Sequence, residues 1–212
     1  MRKLYFVPIL HMSADMGSLS SALDETAKAQ FGEEAWLKHK EAVSSFWDRI
    51  AEFFAALDVR GFKVYQDGLV TGEAVGIKII KEGIGQGSKN YEIVGKLLER
   101  GAVLEKTEDI ALLKQEYDYI AKIARSKSQK EKEVWALRYK SAQRGLLGQR
   151  DDFIAKRIEE TLNEGETGVL FIGAYHDILS KLPSDIQVIQ VRDVAKTRQY
   201  HKTLATKMDT NI

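Results

Sequence analysis

Two of the four histidines in this chain of 212 residues closely follow short apolar segments, one near each end of the sequence. His11 comes after residues 4–10 (Leu-Tyr-Phe-Val-Pro-Ile-Leu), and His176 comes shortly after residues 168–172 (Gly-Val-Leu-Phe-Ile). Neutral imidazole binds divalent metal ions and also exchanges protons near neutral pH. Both histidines are therefore candidate metal ligands and candidate catalytic residues. The alternatives are a loop-capping role for His11 and, for His176, an incidental place in a tight turn between a strand and a helix.

An acidic residue and an Arg-Asp pair are the next candidates. Asp67 follows a third short run, residues 62–65, where its carboxylate could join the histidines as an oxygen ligand, although Asp-Gly is also a common turn dipeptide. Arg150 and Asp151 begin a predicted helix that extends to Leu162. The helix dipole favours acidic residues in a first turn without any further role. A guanidinium at this point could instead pair with Asp151 or hold a carboxylate or phosphate.

Residues 83–90 (Gly-Ile-Gly-Gln-Gly-Ser-Lys-Asn) form a glycine-rich segment before a predicted helix and are a second kind of candidate site. Backbone amides around Gly85, Gly87 and Ser88 could surround a phosphate group, with Lys89 supplying positive charge. The order differs from a P-loop, because the lysine follows the serine. The alternative is a mobile surface loop in which Ser88 caps the helix.

The elements that must position these side chains are predicted from the apolar runs. Continuous apolar, β-branched and aromatic segments are typical of parallel strands buried on both faces, and ligands bind at the carboxyl ends of such strands. Strands at both ends of the chain with helices between them predict an α/β fold. We expect a single domain over residues 1–212, with a central sheet, flanking helices and a mid-chain helical insertion at roughly 107–147. The strands that precede His11 and His176 should lie in one sheet, with both imidazoles at the same edge.

The helices are predicted from apolar periodicity. Between residues 33 and 57 one apolar stripe contains Trp36, Val43, Trp47, Ile50, Phe54 and Leu57, and this pattern predicts a helix buried on that face with His39 in solvent. Thr107 is the expected N-cap of the next long helix, and residues 135–146 and 150–162 are expected to form two separate helices. A short helix is expected after Tyr175.

Composition limits the classes of function. The chain has 32 basic and 31 acidic residues, so its net charge of +1 gives no bulk attraction to nucleic acid or to an anionic membrane. Cysteine is absent, which excludes disulfides and thiolate chemistry and leaves His, Asp, Glu or water as metal ligands. No apolar run approaches the length of a membrane span, so we expect a cytoplasmic protein. The sequence leaves the oligomeric state open.

Together these short motifs resemble the TraB/PrgY/GumN–Tiki family, which belongs to a wider group with erythromycin-esterase-like and ChaN-like proteins. Residues 173–176 (Gly-Ala-Tyr-His) match the second Gly-x-x-His motif of that family, and Arg150-Asp151 matches its Arg-Asp helix. Pro8 stands where the first motif has glycine, and Asp67 stands where the family more often has glutamate. The resemblance is an ordering of short motifs across most of the chain.

The resemblance implies a metal-dependent hydrolase that acts on an amide or peptide-like substrate. It implies Mn²⁺, Co²⁺ or Zn²⁺ held by His11, Asp67 and His176, with a coordination position left open for water. The catalytic set would be His11, His176, Arg150 and Asp151, with Arg150 either stabilising an oxyanion or orienting Asp151. Two other functions remain open: a non-catalytic module that binds a peptide or small molecule in the same crevice, and binding of a phosphorylated ligand by the glycine-rich segment.

Overall fold

The computed structural model describes residues 1–10 and 20–200, and these residues form an α/β fold around one parallel sheet. The predicted fold class is confirmed. In chain order the elements are β1 (Arg2–Ile9), α1 (Ser20–Phe31), α2 (Glu33–Ala55), β2 (Lys63–Gln66), α3 (Glu73–Gly85), α4 (Lys89–Glu99), β3 (Val103–Glu105), α5 (Ile110–Ala124), α6 (Gln129–Thr161), β4 (Thr167–Gly173), β5 (Ile186–Gln190) and a last helical segment, α7 (194–200).

The five strands lie in the order β3-β2-β4-β1-β5, and every neighbouring pair is parallel. The first and fourth strands are neighbours, with Ile9 opposite Gly173. The prediction that the two end strands share a sheet is therefore confirmed. Because all strands run the same way, the segments that follow them emerge at one edge, which we call the carboxyl edge.

Both faces of the sheet are buried at its inner strands β1 and β4, which explains their continuous apolar character. One face packs against α2, α3 and α4, with Val7, Ile9 and Phe171 among the strand residues. The other face packs against the second half of α6 and against α7, and its strand residues include Leu4 and Phe6. Alternate residues of β1 thus enter two separate cores, as the pleat of a strand requires.

The stripe of α2 is confirmed, with Val43, Trp47, Ile50 and Phe54 buried and Trp36 half-buried. The expected exposure of His39 is wrong. Its ring stacks on Trp36 at 4.9 Å between ring centroids, and its Nδ1 atom lies 2.9 Å from the Tyr200 hydroxyl. The contact with Tyr200 joins residues 161 positions apart, so helical periodicity alone carried no sign of it.

Helix α6 corrects the prediction of two separate helices. It is continuous over 33 residues, and all of its fully buried residues lie from Leu146 onwards. Its first half instead contacts α5: the Tyr139 hydroxyl donates to Glu116, and the rings of Tyr119 and Tyr139 lie 5.8 Å apart. The two helices thus form an antiparallel pair within the region where a helical insertion was expected.

Two local predictions are also wrong. The N-cap of α5 is Asp109, whose carboxylate accepts the backbone N–H groups of Ala111 and Leu112. Thr107 is buried and its hydroxyl oxygen instead accepts the backbone N–H of Gln66. The segment after Tyr175 forms turns without a helix. In the described parts of the chain, no helix has both the length and the apolar character needed to cross a membrane.

Candidate functional site

The candidate site lies at the carboxyl edge, where β3, β2 and β4 end side by side. Asp67 is the first residue after β2, His176 is the third after β4, and Glu108 is the third after β3. Asp67 is fixed to the neighbouring strand end, because its backbone N–H donates to Phe171 at 2.9 Å and its Oδ2 atom accepts from the N–H of Gly173 at 3.0 Å. Strand order therefore brings together residues that are far apart in the sequence.

His176 is buried and is held by Asp151 from the start of the second half of α6. The Nδ1 atom of His176 lies 2.5 Å from Oδ1 of Asp151, and the other carboxylate oxygen accepts the backbone N–H of Asp177 at 2.9 Å. Because an ionised carboxylate can only accept hydrogen bonds, this contact places a proton on Nδ1. In the neutral imidazole the Nε2 atom is then left as the acceptor or metal-binding nitrogen.

The Nε2 atom of His176 faces Asp67, 3.9 Å from its Oδ2 oxygen. Bonds from zinc to histidine nitrogen or carboxylate oxygen are about 2.0–2.2 Å long, so a tetrahedral ion holds two ligand atoms about 3.4 Å apart. The pair would have to close by about 0.5 Å to bind one ion. Within residues 1–10 and 20–200, no three metal-ligating side chains cluster closely enough to hold an ion. His11, the expected third ligand, lies outside the described residues, so its distance from His176 stays a prediction.

Arg150 is the centre of a buried ionic cluster beside this pair. Its guanidinium donates to Asp67 Oδ1 at 2.7 Å, to both carboxylate oxygens of Glu108 and to Glu116. The Glu108 side chain is fully buried and that of Asp67 is 11% exposed. Arg150 therefore holds the carboxylate of Asp67 rather than that of Asp151. Through Asp67 the cluster adjoins His176.

Burial sets the ionisation of the cluster. Burial raises the pKa of the Glu108 carboxyl to about 7, with hydrogen bonds from Arg150 opposing the rise and the charge of Asp67 adding to it. Burial by itself would lower the pKa of the Arg150 guanidinium. Its hydrogen bonds to Glu108 and the charge of Asp67 outweigh that effect and hold the pKa above its ordinary value. Arg150 is thus a fixed cation at any working pH.

The structure brings four of the five predicted site residues together: Asp67, Arg150, Asp151 and His176. The two residues of the Arg-Asp dipeptide contact different parts of the site. Arg150 contacts the acidic residues after β2 and β3, whereas Asp151 contacts the histidine after β4. Both residues have a buried partner, so the place of Asp151 in the chain has a reason beyond the helix dipole.

Sequence reasoning missed Glu108 and Glu116. Glu108 follows a strand in the same way as Asp67, so the rule that singled out Asp67 also applies to it. The signal is weak there, because β3 is only three residues long and Glu108 comes three residues after its end. Glu116 lies within α5 and carries no signal of this kind. Only the packing of α5 along α6 places its carboxylate on Arg150.

The glycine-rich segment joins the end of α3 to α4. Gly83 is inside α3, where the ring of Tyr91 packs directly against its α-carbon and leaves no room for a side chain. Gly87 has a φ of +84°, a conformation that favours glycine. Ser88 is buried and its hydroxyl caps α4 by accepting the N–H of Tyr91. The expected helix cap is therefore confirmed, and phosphate binding by Gly85, Gly87, Ser88 and Lys89 stays a prediction.

Comparisons with known proteins do not assign the chain to a family. No protein-family model, no curated protein and no solved structure matches the chain. The resemblance to the TraB/PrgY/GumN–Tiki family therefore rests on the sequence motifs alone.

Proposed function

We propose that the chain is a metal-dependent hydrolase of amide or peptide-like substrates, with His176 and Asp67 as two ligands of a divalent ion and His11 as the third. The observation that carries the proposal is the arrangement of His176, whose Nδ1 is held by Asp151 while Nε2 faces Asp67. Metal-binding histidines characteristically donate their other ring N–H to a carboxylate, which fixes the tautomer and the ring orientation. The family resemblance implies the same class of reaction.

The charge of the site supports a bound cation. The carboxylates of Asp67, Glu108 and Glu116 share one guanidinium, that of Arg150, and the carboxylate of Asp151 contacts His176. A buried excess of negative charge is costly unless a cation or protons offset it. The raised pKa of Glu108 offsets part of this excess near neutral pH. A divalent ion between Asp67 and His176 would offset more.

Each residue has a definite role in this proposal. A bound Mn²⁺, Co²⁺ or Zn²⁺ would lower the pKa of a water molecule enough to yield a nucleophile near neutral pH. Asp151 holds Nδ1 of His176, so in the neutral imidazole the free nitrogen is Nε2, which is aimed at the site. Arg150 and the N–H of Gly173 each bind one oxygen of Asp67, so that carboxylate is fixed in place before any ligand arrives. Preorganisation of this kind is what a metal ligand needs from its surroundings.

The test is calorimetric titration of the EDTA-treated protein with Mn²⁺, Co²⁺ and Zn²⁺. The wild type should bind about one equivalent of at least one of these ions. His176→Ala and His11→Ala should abolish that binding, and both should remove hydrolysis of a chromogenic anilide and peptide panel. His39→Ala is the matched control, because it removes an imidazole whose contacts are with Trp36 and Tyr200.

The outcomes separate the competing functions. Metal binding without hydrolysis of any panel member would favour a binding module that uses the same crevice. Absence of metal uptake by the wild type, or equal uptake by His176→Ala, would contradict the metal-dependent reaction. Phosphate binding that is lost in Lys89→Gln and retained in His176→Ala would favour the glycine-rich segment as the functional site.

A further inference from the structure

Two cavities lie along the carboxyl edge beyond the candidate site. The first, which we call the His176 cavity, has a volume of about 670 Å³ and is lined by His176, Gln190, Asp193 and Arg198 among others. The second, of about 440 Å³, shares Gln190 and Asp193 with the first. The shared residues make the two cavities neighbours on either side of the segment that follows β5.

The second cavity, which we call the arginine cavity, is positively charged. Its lining contains Arg49 from α2, Arg192 from the segment after β5 and Lys196 from α7. Asp193 is the acidic residue in the lining, and one of its carboxylate oxygens already accepts the backbone N–H of Lys196 at 3.0 Å. The lining therefore carries three basic side chains against one carboxylate.

Arg192 has a buried hydrogen-bond donor that lacks an acceptor. Its Nε atom is buried and has no hydrogen-bond partner, and among the described residues no ion pair is formed by its guanidinium. Burial and the charge of Arg49 lower the pKa of Arg192, and Glu52 offsets only part of that effect. A buried donor without an acceptor costs free energy. Two like-charged guanidiniums beside a cavity add to that cost, and an anion between them would remove both penalties.

The distance between the two cavities suits one ligand. Arg192 is the second residue after β5, His176 is the third after β4, and β1 lies between these two strands. Neighbouring strands are about 4.8 Å apart, so the ends of β4 and β5 are separated by about 10 Å. Leu10 and Phe46 give the arginine cavity an apolar wall, which suits an organic anion.

We propose that the arginine cavity binds a carboxylate or phosphate group of the substrate, about 10 Å from the bond that is hydrolysed at His176. The inference rests on the proposed function and names the class of substrate: an amide or peptide-like molecule with an anionic end. A guanidinium presents a planar fork of N–H donors that matches both carboxylate and phosphate. Arg192 provides the buried donor, and Arg49 on α2 and Lys196 on α7 supply further charge.

The experiment measures anion binding by the EDTA-treated 212-residue chain, using inorganic phosphate and glutarate as separate probes in calorimetric titrations. The wild type should bind one of the two, and the preferred probe identifies the anionic group. Arg192→Gln should weaken that binding at least tenfold, and Arg49→Gln should weaken it less. Arg60→Gln is the matched control, because it removes an exposed arginine that pairs with Asp58.

Equal affinity of the wild type and Arg192→Gln, or no binding of either probe by the wild type, would overturn the inference. If Arg192→Gln fails to fold, loss of affinity in Arg49→Gln with retention in Arg60→Gln carries the same information. Phosphate binding should survive in His176→Ala, and metal binding should survive in Arg192→Gln. If the wild type takes up no metal, only the proposed function is contradicted. If the Arg192 and Arg49 variants bind the anion as tightly as the wild type does, only the arginine cavity is contradicted.

Discussion

Replacing Arg150 with methionine tests the buried ionic cluster most sharply. The change keeps an unbranched apolar side chain in α6 but removes every guanidinium bond to Asp67, Glu108 and Glu116. Three carboxylates would then share a buried space without their cation. Breaking a buried ion pair by removing one partner costs about 3–5 kcal/mol. For a chain of this size that loss corresponds to a fall in Tm of roughly 6–20 °C.

The loss should depend on pH, and its sign follows from Glu108. In the wild type the folded pKa of Glu108 is about 7, above the unfolded value of about 4.3. The stability that this group contributes is therefore fully present at pH values below the unfolded pKa and is lost as pH rises through the folded pKa. Arg150→Met removes a cation that lowers the pKa of Glu108, so the pKa of Glu108 should be higher in the variant. Acidification should therefore restore more stability to the variant than to the wild type.

The assay is urea and thermal denaturation at pH 7.5 and pH 5.5, followed by circular dichroism. Arg150→Met should be strongly destabilised at pH 7.5 and should recover part of the deficit at pH 5.5. Arg144→Met is the matched control, since Arg144 is an exposed residue of the same helix. A deficit below about 1 kcal/mol, the upper range for exposed pairs, would refute the reasoning, as would a deficit of equal size at both pH values.

Two further variants test other parts of the account. Trp47→Ala should cost on the order of 3–5 kcal/mol, because the ring is 1% exposed and its Nε1–H donates to the Leu10 carbonyl; unchanged denaturation would contradict the packing of α2. Asp151→Asn should weaken metal binding about 10–100-fold, since the amide cannot hold Nδ1 of His176 as a carboxylate does, and titration calorimetry measures this. The matched change Asp152→Asn should leave metal affinity as it is, because Asp152 pairs with Lys181 at the surface.

The sheet was predictable because its signals are local. Each strand buried on both faces is a continuous apolar run, and parallel strands put their following residues at one edge. That rule located Asp67 and His176, and the Arg-Asp dipeptide supplied the two residues that hold them. The rule did not pair Arg150 with its partners, because they lie 34 to 83 positions away in the sequence, and Glu116 reaches the guanidinium only after α5 packs on α6.

The errors came from local signals that tertiary packing overrides. Two separate helices were predicted over residues 135–146 and 150–162, yet Gly145 and Gly148 lie within one continuous helix, α6, and nothing crowds their α-carbons. The contacts of α6 with α5 before the glycines and with the sheet after them keep the helix continuous. Thr107 has the side chain of an N-cap, but the buried N–H of Gln66 takes its hydroxyl, and Asp109 caps the helix instead.

Titration of the EDTA-treated protein with Co²⁺, followed by visible absorption, tests the central claim most directly. The wild type should develop ligand-field bands that saturate at about one equivalent, because the proposed site would bind one ion through Nε2 of His176 and Oδ2 of Asp67. His176→Ala should show no such bands, and His39→Ala should match the wild type. A wild type that develops no bands, or a His176→Ala variant that develops the same bands, would contradict a metal site at the carboxyl edge.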